Sequence, residues 1–286
     1  MQYPKITIVT PNFNGAKYLE ATIKSIINQD YPNLEYIIID GGSTDSSIDI
    51  IKRYENYLFY WESEKDKGLY DALNKGFSKS SGEIMGWLNS DDMLHPKSLF
   101  TLSAIFSNLE IKWIQGTHTW FDEEGKTFRA LPVQIKSKFD YLLKNYKNRF
   151  SPFIQQESTY WRRSLYEAAG SHISTEYQLA GDFELWMRFF RKSELFLTQS
   201  LIGGFRMTGQ NQLSSNYKLY LQEADRIIDN YSLTDREKEV IKRLKKNNFI
   251  KKIPLIRKIY SKGKNSIKEE FRFCNWNVST KQFELF

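Results

Sequence analysis

Leu34-Glu35-Tyr36-Ile37-Ile38-Ile39 is apolar at almost every position rather than at every second one, and it stops abruptly at Asp40-Gly41-Gly42-Ser43-Thr44-Asp45. Successive side chains on a strand point to opposite faces, so a strand of this kind must be covered on both. That requirement predicts a parallel strand inside an α/β sheet. The neighbouring segments agree. Lys5-Ile6-Thr7-Ile8-Val9-Thr10 is a short β-branched run ending in the turn formers Pro11-Asn12-Phe13-Asn14-Gly15. Leu19, Ile23, Ile26 and Ile27 then fall on one helical face. After Asp40, Ser43 or Thr44 can cap a helix through Ile48, Ile51 and Tyr54. Leu58 to Glu62 reads as a third strand, Leu69 to Phe77 as a short helix, and Ile84 to Leu88 as a further buried strand. Strand and helix alternate, which predicts a doubly wound, mostly parallel sheet flanked by helices. Right-handed crossovers place every strand-end loop at one sheet edge, where such folds bind ligands.

The chemistry collects at those ends. Asn89-Ser90-Asp91-Asp92 closes the strand through Met85-Gly86-Trp87-Leu88 with two adjacent carboxylates. Like charges partly shielded from water call for a cation, and a divalent metal carrying phosphate oxygens is the natural one. Neither G-x-x-x-x-G-K-[ST] nor a G-x-G-x-x-G after the first strand is present, which disfavours P-loop kinases and dinucleotide dehydrogenases. Asp40 either accepts a hydrogen bond from a base or ribose, or closes a turn and caps the next helix. A helix through Leu99, Leu102, Phe106 and Leu109 leads to a strand over 111–116 and a hairpin turning at Glu124-Gly125. Residues 151–163 bring amides and aromatics together, either as part of an acceptor pocket or as an ordinary strand entering a helix. In Ala180-Gly181-Asp182-Phe183-Glu184-Leu185-Trp186, the apolar face leaves Asp182 in the first helical turn, where a carboxylate caps the helix, acts as a general base, or does both. Glu184 is spaced to pair with Arg188.

Composition sets the outer limits. The chain has 286 residues and one cysteine, Cys274, so no intramolecular disulfide forms and a reducing compartment is expected. The opening residues lack the apolar core of a signal peptide and no run is long enough to span a membrane, so a cytoplasmic chain is expected. The net charge of +7 is uneven. From Arg236 to Arg272 fourteen Lys or Arg face four Asp or Glu, which leaves the remainder slightly acidic. Val240, Ile241 and Leu244 beside Arg243, Lys245 and Lys246 predict a basic amphipathic helix, and a second is expected over Ile253–Tyr260. Such a tail suits peripheral contact with an anionic membrane, or a solvated face of helices packed on the rest. No nucleic-acid-reading motif accompanies the charge. His95, His118 and His172 lack metal-ligand spacing.

Taken together, Thr10-Pro11-Asn12-Phe13-Asn14, Ile39 to Asp45, Gly68-Leu69-Tyr70-Asp71-Ala72-Leu73-Asn74-Lys75-Gly76, Leu88 to Asp92, and Asp182 to Arg188 resemble, in order and spacing, the family 2 glycosyltransferases of the GT-A fold. The likeness is to bacterial enzymes that extend surface polysaccharides, and it runs from the N-terminus to roughly Arg206. It implies a GT-A-type catalytic domain over 1–206, with a nucleotide-sugar-binding part (1–96) and an acceptor-binding part (97–206), followed by a basic, mainly helical extension over 207–286. The resemblance puts Thr10, Pro11, Asn12, Asn14, Asp40, Asp71, Asn89 and Ser90 on the nucleotide, with Asp40 on the imide edge of the base. It puts Asp91 on a Mn²⁺ or Mg²⁺ ion with Asp92 flanking it, and makes Asp182 the catalytic base. Two departures stand out: Asn89 replaces the family's usual first Asp of Asp-x-Asp, and Gly41 replaces a second Asp after Asp40.

The implied chemistry is transfer from a nucleotide-sugar donor, UDP-linked in expectation, to a saccharide acceptor carried on a lipid in polysaccharide synthesis. Charge growing on the leaving diphosphate needs stabilising, and the acceptor hydroxyl needs a base. One base and no assigned carboxylate nucleophile imply inversion at the anomeric centre. The alternatives are sugar nucleotidyl transfer, which would favour a glycine- and arginine-rich loop after the first strand, and a carbohydrate-binding scaffold with a dispensable site.

Overall fold

The computed structural model describes residues 3–133, 137–148, 153–208, 216–251 and 272–285. Its centre is a mainly parallel sheet. Strands β1 (Ile6–Asn12), β2 (Leu34–Asp40), β3 (Tyr60–Ser63) and β4 (Ile84–Trp87) run parallel in the order β4-β1-β2-β3. Their register aligns Asn12 with Asp40 and Asp40 with Ser63, so the polar strand ends share one edge. A second, smaller sheet beside this edge comprises β5 (Met93–Leu94), β7 (His118–Phe121), β8 (Thr127–Leu131) and β11 (Gly203–Arg206). Strands β7 and β8 form the expected hairpin, with Gly125 at φ +83° in its turn.

On the far side of β4, the large sheet continues through β9 (Thr159–Arg162), β6 (Trp113–Gln115) and β10 (Phe196–Leu197). Strand β9 runs antiparallel to both of its neighbours. The chain then returns from its C-terminal end: β12 (Arg272–Asn277) pairs in parallel with β10, and β13 (Gln282–Leu285) closes a hairpin on it. Among the described residues the extension over 207–286 is mainly helical, and this hairpin is an addition to it. Cys274 is buried, and Phe283 and Leu285 pack against the core, so this hairpin covers apolar surface at the sheet's end. The expected helix over Ile253–Tyr260 lies outside the described residues.

Both sheet faces are covered, as the unbroken apolar strands require. On one face Ile6, Ile8, Tyr36 and Ile38 meet α1 (Ala16–Ile27), α2 (Ser47–Arg53) and α4 (Ser98–Ile105) through Leu19, Ile23, Ile51 and Leu102. Helix α4 stops before Leu109, which is exposed, because Ser107 and Asn108 turn the chain instead. Between β8 and β9 a short α5 (Lys138–Leu142) carries a Ser137–Asp140 capping box. On the opposite face Val9, Ile37, Ile39 and Trp87 meet α3 (Leu69–Ser78), α6 (Arg163–Ala168), α7 (Gly181–Phe189) and α8 (Tyr217–Asp229). Trp186 of α7 stacks between Trp87 and Trp113 at centroid distances of 5.8 and 5.7 Å, and truncating such a residue to Ala costs about 3–5 kcal/mol. This packing fixes α7, and with it Asp182, against the end of β4. A final helix, α9 (Asp235–Lys251), turns Ile241 inward and leaves Lys242, Arg243, Lys245 and Lys246 exposed. No helix among the described residues is long and apolar enough to cross a membrane.

Candidate active site

The turn after β2 is built around Asp40. Its buried carboxylate accepts from Asn12 Nδ2 (2.6 Å), the Ser43 and Ser63 hydroxyls (2.5 and 2.6 Å), and the backbone N–H groups of Gly42 and Ser43 (3.1 and 2.9 Å). Burial alone would raise its pKa, but these donors outweigh burial and hold it below the ordinary carboxylate range. Gly42 accommodates the turn at φ +83°. Asp40 therefore shapes the loop through these five hydrogen bonds. Asn14 and Thr10 stand back from the cleft. Asn14 Oδ1 accepts from the Thr44 N–H at 2.8 Å, and Thr10 Oγ1 is buried against the Tyr36 hydroxyl. Pro11, Asn12 and the exposed Phe13 do line the cleft, as does Asp71 on α3.

The adjacent carboxylates after β4 point in different directions. Asp91 lines the cleft with Asn89 and Ser90. Asp92 is completely buried: its Oδ1 accepts from the Arg206 N–H at 2.9 Å and its Oδ2 from Asn89 Nδ2 at 3.2 Å. Burial, reinforced by the charges of Asp91 and Glu157, pushes its pKa well above the usual range. In this structure Asp92 turns inward and fastens the loop internally. Arg206, itself buried, donates from Nε to the Asp91 carbonyl at 2.7 Å and from Nη1 to the Glu123 carbonyl at 2.9 Å, tying the loop to the hairpin.

No cluster of three or more His, Cys, Asp or Glu side chains forms a metal cage among the described residues. A hard divalent cation that keeps waters and substrate phosphates needs only one or two protein oxygens. Asp91 at the wall and Asn89 Oδ1, buried without a hydrogen-bond partner, fit that requirement.

Asp182 lines the same cleft, from the first turn of α7. Its Oδ1 accepts from the Phe183 N–H at 2.7 Å and from the Tyr220 hydroxyl at 3.2 Å. Gly181 is required beside it, since a Cβ there would come within 2.7 Å of the Tyr70 ring. Tyr70, in turn, donates to the Leu179 carbonyl at 2.7 Å. Burial raises Asp182 to a pKa of about 7, with the Glu223 charge adding to the rise and the two hydrogen bonds opposing it. Glu157 shares the space. It is buried, held by the Gln155 amide, and pushed to about 7 by burial and by the charges of Asp91 and Asp182. The expected Glu184–Arg188 pair forms at 2.8 Å, on the helix flank.

One cavity of about 1090 Å³ is lined by Pro11, Asn12, Asp71, Asn89, Ser90 and Asp91 together with Glu157 and Asp182. Residues 153–157, read from the sequence as pocket or plain strand, enter its wall just before β9. Tyr220, Glu223 and Trp120 also line it and carry no motif of their own. The i, i+3 spacing of Tyr220 and Glu223 is the one signal that could have pointed to them.

A sequence model of the family described as Glycosyl transferase family 2 matches residues 7–170. An uncharacterized glycosyltransferase of Haemophilus influenzae is 33% identical over 166 residues, 55% of this chain and 65% of that protein. One from Mycobacterium tuberculosis is 39% identical over 90 residues, 31% of this chain and 34% of that protein. The matched stretches thus span less than two thirds of these relatives. One from Rickettsia prowazekii is 25% identical over 278 residues, 88% of this chain and 83% of that protein. Among solved structures, residues 1–349 of Staphylococcus aureus TarS, in complex with UDP-GlcNAc, superimpose with a TM-score of 0.63 at 20% identity, covering 83% of this chain and 70% of that one. At that identity the likeness speaks for the fold.

Proposed function

The chain belongs to glycosyl transferase family 2, and from that premise we propose that it moves a sugar from a UDP-sugar to a saccharide hydroxyl with inversion at the anomeric carbon. The observation that carries this reading is one cavity lined by both Asp91 and a buried, basic Asp182. Pro11 and Phe13 offer apolar surface to the base. Lys65 and Lys67, on the loop packed over Gly42, bring positive charge to the donor. A Mn²⁺ or Mg²⁺ ion held by Asp91 and Asn89 would supply positive charge next to the leaving diphosphate.

The acceptor enters beside Glu157 and Asp182. As the acceptor oxygen bonds to the anomeric carbon, its proton passes to an Asp182 oxygen, and the bond to the diphosphate breaks with its electron pair leaving on UDP. A carboxyl with a pKa near 7 suits this work, because a substantial fraction is ionised at neutral pH while it remains a stronger base than a free aspartate. The acceptor in this proposal is a growing, lipid-linked glycan in polysaccharide synthesis. The exposed Lys242, Arg243, Lys245 and Lys246 give the chain a face suited to an anionic membrane where such an acceptor resides.

The test is a panel of UDP-sugars and saccharide acceptors with Mn²⁺, following UDP release and the product's anomeric configuration by NMR. Acceptor-dependent UDP release with inversion is expected. Retained configuration would overturn the single-displacement mechanism, and pyrophosphate release from a nucleoside triphosphate would favour nucleotidyl transfer instead.

A further inference from the structure

Helix α8 lies beyond the segment that matches the family, residues 7–170, yet two of its side chains reach Asp182 or the turn that carries it. The Glu223 carboxylate sits under the chain entering α7. Its Oε1 accepts from the Gln178 N–H at 2.8 Å, and its Oε2 accepts from the N–H groups of Leu179 and Ala180 at 2.9 Å each. One carboxylate thus fixes three consecutive peptide groups immediately before Gly181 and Asp182. Such charge-assisted bonds are stronger than neutral ones. One turn back on the same helical face, the buried Tyr220 hydroxyl donates to Asp182 Oδ1 at 3.2 Å and stands 3.5 Å from Oδ2. The Phe183 N–H also falls on Oδ1. Both closer contacts therefore fall on one oxygen of the carboxyl, and Oδ2 carries the longer Tyr220 contact. Helix α8 is itself anchored, with Ala224, Ile227 and Ile228 in the core and the Tyr220 ring edge-on to Phe153 at 4.6 Å.

We propose that Tyr220 and Glu223 are positioning residues for the Asp182 carboxylate: Glu223 sets the backbone from which Asp182 projects, and Tyr220 fixes the orientation of its carboxyl group. The proposal rests on the reading of Asp182 as the base. It makes α8 part of the catalytic machinery, although the helix lies outside every motif of the resemblance.

The titratable groups facing Asp182 are Tyr70 from α3, Glu157 from the turn before β9, and Tyr220 and Glu223 from α8. A hydroxyl donating to the ionised carboxylate favours that form, so Tyr220 holds the Asp182 pKa down against burial. Tyr220→Phe removes the donor and leaves the ring, so the Asp182 pKa must rise.

The experiment pairs two readouts on wild type and Tyr220→Phe: the pH profile of kcat/KM, and the Asp182 carboxyl titration by ¹³C NMR, which needs no turnover. Expected are a kcat at pH 7 lower by about tenfold or more, an acid limb and an NMR midpoint both moved to higher pH, and unchanged UDP affinity. A superimposable profile, or a uniform loss of rate with an unmoved midpoint, would overturn the proposal. Glu223→Gln supplies a second variant: a lower kcat with unchanged donor KM is expected, and unchanged kcat overturns its part. If wild type transfers no sugar to any acceptor, the functional reading fails while the NMR midpoint still tests the Tyr220–Asp182 contact. An unmoved midpoint in an active enzyme defeats only the positioning role.

Discussion

Replacing Asp182 by Asn should make the protein more stable at alkaline pH while removing its base. Burial moves the Asp182 carboxyl from 3.8 in the unfolded chain to about 7 in the fold. Below pH 3.8 the group is protonated in both states and costs nothing. Between 3.8 and 7 the unfolded chain ionises it while the fold keeps it protonated, so stability falls as pH rises. Above 7 the full penalty applies: about three pKa units at 1.36 kcal/mol each, or on the order of 4 kcal/mol. Asn is neutral at every pH, and its Oδ1 can still accept from the Phe183 N–H and the Tyr220 hydroxyl. The variant should therefore exceed wild type by up to about 4 kcal/mol at pH 8, with a much smaller difference at pH 5. At about 2.1 cal/mol/K per residue over the chain, that is a Tm gain of roughly 7 °C. Thermal melts of both proteins at pH 5 and pH 8 in matched salt decide it. An Asp182→Asn variant no more stable than wild type at pH 8, or a gain of equal size at both pH values, would refute the argument from burial.

Other outcomes follow from the same geometry. Asp40→Asn replaces an acceptor of five hydrogen bonds with a group that turns two N–H donors toward other donors; a loss of about 2–4 kcal/mol in denaturant unfolding and a higher donor KM are expected. Gly181→Ala drives a methyl into the buried Tyr70 ring, and should cost about 1–3 kcal/mol and lower kcat as α7 shifts. Chelation should abolish transfer and Mn²⁺ should restore it, while Asp91→Asn should remove the metal response that Asp92→Asn, its side chain facing inward, disturbs mainly through stability. For the basic face of α9, sedimentation with anionic but not neutral vesicles is expected.

How far the sequence could be read depended on the range of the interactions involved. Strands β1 to β4 and the helices between them were legible because the need to bury both faces of a strand is written in consecutive residues, and the Glu184–Arg188 pair because it spans one helical turn. The direction of Asp92 was not: a carboxylate next to Asp91 gives no sign of its partner, the Arg206 backbone, which arrives from another strand. The partners of Asp40 were hidden for a similar reason, since Asn12 and Ser63 reach it from neighbouring strands. The charge between Arg236 and Arg272 drew attention to helices, and it masked the hairpin β12–β13 that returns to the central sheet. Tyr220 and Glu223 reach the site through the packing of α8 on α7, which no local pattern encodes.

The most direct test of the central claim is the turnover number for acceptor-dependent UDP release by wild type and Asp182→Asn at pH 7.5, with the donor and acceptor identified by the panel. Loss of the base should lower kcat by about a hundredfold or more while leaving UDP affinity unchanged. A variant that turns over within a fewfold of wild type would show that Asp182 does not take the acceptor's proton.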